Sequence, residues 1–81
     1  MTNQQAAAQL RRLAVVYLMN GLETWHDPMM RAMHWADAAD IRRAATLIEE
    51  GRADEARHQL DALDTSIHDV LSVELWEQFG S

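Results

Sequence analysis

Two sets of side chains in this sequence have the types and spacing to hold a metal ion. Asp61, Asp64 and His68 fall at intervals of three and four residues, which puts two carboxylates and an imidazole on one helix face. His26, Asp27 and His34 gather around Pro28 as a second possible set. Zinc sites need a closed or nearly closed shell of N, S or O ligands. The chain has no cysteine, and a carboxylate–histidine face is also how a solvated acidic helix looks. Neither set is assigned a metal, and no cofactor is expected. The candidate nucleophiles Ser66, Ser72 and Ser81 lie outside any strand–turn–helix elbow. Ser66 and His68 are two residues apart, so on a helix they diverge. Three scattered glycines cannot build a phosphate-cradling loop. The expectation is a protein without enzymatic activity.

Arginine supplies all seven basic side chains, and lysine is absent. We read that bias as the mark of a GC-rich genome, bacterial or phage. Arg42, Arg43, Arg52 and Arg57 bracket Gly51 and invite comparison with a DNA-reading helix-turn-helix. The second helix of such a motif would carry Asp54, Glu55, Asp61, Asp64 and Asp69, which phosphates repel. Formal net charge is −6. Residues 1–36 are slightly basic and residues 37–81 strongly acidic. Direct contact with nucleic acid is not expected.

The apolar residues say more. Residues 13–19, Leu-Ala-Val-Val-Tyr-Leu-Met, are apolar on every side of a helix and must be surrounded by something. Trp25, Met29, Met30, Met33 and Trp35 follow closely. Methionine is flexible and polarizable, and tryptophan is enriched where binding energy concentrates. With Tyr17, these five residues form the candidate partner-binding set, either as core or as core that extends into an interface.

What positions them is helical. Thr2 and Gln5 have capping-box spacing, and Ala6, Leu10, Leu13, Tyr17 and Gly21 follow at helical intervals. The helix ends at Asn20-Gly21 or runs on to Trp25. Asp27-Pro28 starts the next element, with aspartate as N-cap and proline in the first turn. From there the chain reads helical to Glu50, as one helix or as two divided at Asp37. Ile41, Ala44, Ala45 and Ile48 share a face, and Gly51 ends the helix. Ala53, Ala56, Leu60, Leu63, Ile67 and Val70 then make a heptad-like seam. Residues 72–79 add a turn or two that presents Leu75, Trp76 and Phe79.

Around Leu47-Ile48-Glu49-Glu50-Gly51 and Asp54-Glu55-Ala56, the chain resembles a single hairpin of the tetratricopeptide-repeat kind. The unit occurs once, and a solenoid needs several to bury its core. We read it as a convergent way to turn between helices. The fold class expected is all-α: one domain over residues 1–81, a small antiparallel bundle of three or four helices turning at Gly51. A chain of 81 residues with thirteen alanines and no disulfide has little core volume. That favours self-association. No apolar run approaches a membrane span, and no targeting segment stands out, so the cytoplasm is expected. The function expected is a protein-binding regulator, an adaptor or inhibitor, acting as a homodimer. One alternative is an acidic mimic of nucleic acid that blocks a DNA- or RNA-handling protein, as in phage counter-defence. The others are a small metal-binding or catalytic domain using His26, His34 or His68, and a purely structural subunit.

Overall fold

A computed structural model describes residues 1–63 and 73–78 of the chain. The described residues are helical, with no strand among them: α1 (Asn3–Glu23), α2 (Pro28–Glu49), α3 (Ala53–Asp61) and a short segment, α4 (Val73–Gln78). Local chemistry sets each boundary. At the start of α1 the Thr2 hydroxyl accepts from the Gln5 amide while the Gln5 side chain accepts from the Thr2 amide, a complete capping box. The helix passes through Gly21 and stops at Thr24, whose amide and hydroxyl both donate to the Asn20 carbonyl. Asp27 then accepts from the Met30 amide, and Pro28 occupies the first turn, where a missing N–H costs nothing. No break occurs at Asp37; residues 28–49 form one continuous helix.

The end of α2 is a Schellman motif. The Arg52 amide donates to the Leu47 carbonyl and the Gly51 amide to that of Ile48, while Gly51 takes a φ of +77°. Asp54 and Glu55 in the first turn of α3 oppose the positive end of its dipole. Arg52 hydrogen-bonds Glu55 and Glu50. Beside that guanidinium the Glu55 carboxyl is held below the usual carboxylate range.

The central pairing is α1 against α2, across a seam of small side chains. Ala6, Ala7, Ala14 and Gly21 of α1 are buried, as are Ala38, Ala44 and Ala45 of α2. Large side chains enter the core sparingly; those fully buried are Leu10, Ile41, Ile48, Leu60 and Leu75. Ala56 and Leu60 dock α3 on α2, and α4 reaches α1 through Leu75 and a hydrogen bond from Gln78 to Asn3. Of the heptad-like seam, Ala53, Ala56, Leu60 and Leu63 pack in or against the core; Ile67 and Val70 lie outside the described residues.

The two long helices outrun the third. At about 1.5 Å per residue, α1 and α2 run roughly 31–33 Å while α3 covers only about 13 Å of that. All the fully buried large side chains lie toward the end of the hairpin that holds the start of α1 and the finish of α2. Among the described residues, the opposite end, the tip around the Thr24–Asp27 turn, is built by α1, α2 and their turn alone. No helix among the described residues is long and apolar enough to cross a membrane.

The left-handed conformation at Gly51 has open space where a Cβ would go, so only backbone strain opposes a side chain there. Gly51→Ala should therefore lower stability by about 1 kcal/mol, or about 4–8 °C in Tm for a chain of this size. A thermal melt followed by circular dichroism at 222 nm checks this; an unchanged melt would mean that the Schellman turn is not formed in solution.

Candidate interaction surface

The tip is apolar and uncovered. Val15, Val16, Met19 and Leu22 of α1, Trp25 of the turn, and Met29, Met30, Met33 and Trp35 of α2 are all exposed. Trp25 is 69% exposed and Met29 75%. The nine together leave roughly 900 Å² in solvent, taking about 150–250 Å² per whole side chain. The largest apolar patch on an ordinary monomer is about 300–600 Å². The tip area is spread over more than one side of the hairpin, and half of it, about 450 Å², matches the largest patch of an ordinary monomer.

Five of the six residues singled out from the sequence are at this tip and exposed: Trp25, Met29, Met30, Met33 and Trp35. Tyr17 is half-buried, its ring 6.4 Å from that of His34 across the α1–α2 seam. Trp35 crosses from α2 to lie on α1. Its indole Nε1 donates to the Leu18 carbonyl at 3.3 Å, and its ring sits against Gly21, where a Cβ would fall 2.6 Å from Cδ1. Glycine at 21 is what lets an indole rest on helix backbone. The Arg31 guanidinium lies 5.4 Å from the Trp35 ring centroid, a cation–π contact, and also donates to the Trp25 carbonyl.

The sequence did not mark Val15, Val16, Met19 and Leu22 individually. The signal was present, since residues 13–19 are apolar all round, and a helix with one neighbour can hide only one side of such a run. It also gave no sign that the buried Nδ1 of His34 would have no hydrogen-bond partner.

No group of three or more His, Asp or Glu side chains among the described residues converges on a point where an ion could sit, so His26, Asp27 and His34 are not brought together. Trp25 instead meets the His26 ring edge-on. The set Asp61, Asp64 and His68 lies mostly outside the described residues. Of the acidic residues on α3, Glu55 pairs with Arg52 and Asp61 with Arg57; Asp64 and Asp69 lie outside the described residues. The chain matches no protein-family model, no curated protein and no solved structure. Its own surface has to carry the functional argument.

Two substitutions probe how the tip is held. Gly21→Ala drives a methyl group into the Trp35 indole and should cost about 1–3 kcal/mol, with a red shift in tryptophan emission as the ring is displaced. His34→Leu removes a buried polar atom that has no partner and should raise stability by about 1 kcal/mol. Chemical denaturation of both variants beside the parent chain checks the two opposite signs.

Proposed function

We propose that this chain is a non-enzymatic protein-binding module, an adaptor or inhibitor that acts as a homodimer and grips another protein with its hairpin tip. The supporting observation is an inverted distribution of large apolar side chains. Nine of them stand exposed at the tip, while five in the whole described structure are fully buried. Water penalises each exposed one, and a protein surface placed over them removes that penalty. The occupant should be protein, since Trp25, Met29, Met30 and Met33 offer adaptable apolar contacts and no convergent polar group that would orient a small molecule.

Affinity capture from cell extract with the full chain as bait tests the reading. Trp25→Ser and the pair Met29→Gln with Met33→Gln should lose the captured partner while circular dichroism shows helicity retained. Truncating a central tryptophan at such a site typically costs about 2 kcal/mol or more. Capture should also survive moderate salt, because apolar contacts are not screened. Binding that collapses with salt and ignores the tip variants would move the site to the acidic residues of α3. Unfolding of every tip variant would make these side chains core and overturn the reading.

A further inference from the structure

One side of the tip has a regular stripe of its own. On α1, Arg11, Val15, Leu18 and Leu22 follow at intervals of four, three and four, with Met19 beside Leu18 and Leu22, so they share a face. On α2, Trp35, Arg42 and Glu49 recur every seven residues and share another. Two contacts put these stripes on the same side of the hairpin: the ion pair of Arg11 with Glu49, and the bond from Trp35 Nε1 to the Leu18 carbonyl. That side is apolar over the tip and ionic over the base. Met29 and Met33 belong to another part of α2, roughly 120–160° around the helix from Trp35.

We propose that a second copy of this chain docks antiparallel on the Val15–Trp35 side, making a four-helix bundle from two hairpin tips. Area favours it. The exposed parts of Val15, Met19, Leu22 and Trp35 amount to roughly 400 Å², at about 150–250 Å² per whole side chain. A standard interface takes about 800 Å² from each partner, of which about two-thirds is apolar in homodimers. These four residues therefore supply most of the apolar share, and two paired hairpins reproduce a common bundle architecture.

Charge favours a copy of this same chain. A molecule of net charge −6 repels its twin unless the contact avoids its acids. The tip part of this face carries none, and the one acid at its base, Glu49, is already paired with Arg11. A two-fold axis at the level of Leu18 and Trp35 carries the end of one tip, with Glu23 and Asp27, over the base of the other. There a cavity of about 500 Å³ is lined by Arg11, Arg42, Arg43 and Arg52. Arg42 and Arg43 make no ion pair among the described residues, so the second copy brings carboxylates to unpaired guanidinium groups. The inference rests on the functional reading in taking the tip as an interface and the chain as a homodimer, and it adds which face pairs and in what orientation. It divides that interface in two, leaving the Met29–Met33 side for the other protein.

Sedimentation equilibrium of the full chain at micromolar concentration should give twice the chain mass. Val15→Glu and Leu22→Glu, both at exposed positions, should weaken the dimer by a factor of about ten or more with helicity unchanged, whereas Met29→Glu should leave it intact. The chain has no cysteine, so Met19→Cys should oxidise to a disulfide-linked dimer and Met33→Cys should not. A monomeric parent chain, or a dimer that Met29→Glu breaks as readily as Leu22→Glu, would overturn the proposal. A monomer that still captures a partner through Met29 defeats this inference and the homodimer part of the functional reading, and leaves the protein-binding part standing. A dimer with no Met29-dependent partner defeats the functional reading alone.

Discussion

Everything in this structure depends on how closely α1 and α2 approach. Small residues are buried on both helices, Ala6, Ala7, Ala14 and Gly21 on α1 and Ala38, Ala44 and Ala45 on α2. Small side chains let helix backbones come near each other, and near backbones leave no room between them for large ones. Such a seam removes little apolar area from water per residue. Of the larger side chains on the same helices, Leu10, Ile41 and Ile48 are buried, while Val15, Val16, Met19, Leu22, Met29, Met30, Met33 and Trp35 stay exposed.

What happens to these side chains differs between the two ends of the hairpin. At the base, α3 and α4 supply Ala56, Leu60 and Leu75, which close over Leu10, Ile41 and Ile48. Toward the turn, α3 has already ended at Asp61. Trp35 there does what it can within the chain: its indole covers Gly21 and finds one carbonyl, and Arg31 shields part of its face. Trp25, Met29 and Leu22 have no such recourse. The imbalance comes from the geometry of two long helices and one short one, since the tip and the base draw on the same kinds of residue.

Much of this was legible in the residues, for reasons that are local. Thr2 with Gln5 and Asp27 with Pro28 are short-range hydrogen-bonding devices, and their spacing suffices to place the helix starts. Glycine at 51 was legible because a left-handed residue after a helix is nearly always glycine, or sometimes asparagine. Gly21 left the end of α1 open for the same reason. Its role is to admit an indole from a helix fourteen residues further on, which no local pattern encodes. The continuity of α2 past Asp37 was equally hidden, since an aspartate looks the same whether it caps a helix or flanks its seam. Which of the apolar residues 13–35 face water could not be read from periodicity, because exposure there depends on how helices distant in sequence pack.

The order of these elements along the chain also matters for how it is made. The whole α1–α2 hairpin lies within residues 3–49 and is joined by a short turn, so the contacts beside that turn are close in sequence and among the quickest to form. During synthesis it precedes the acidic segment that makes the chain strongly anionic. A nascent chain therefore displays its apolar tip while still near neutral in charge.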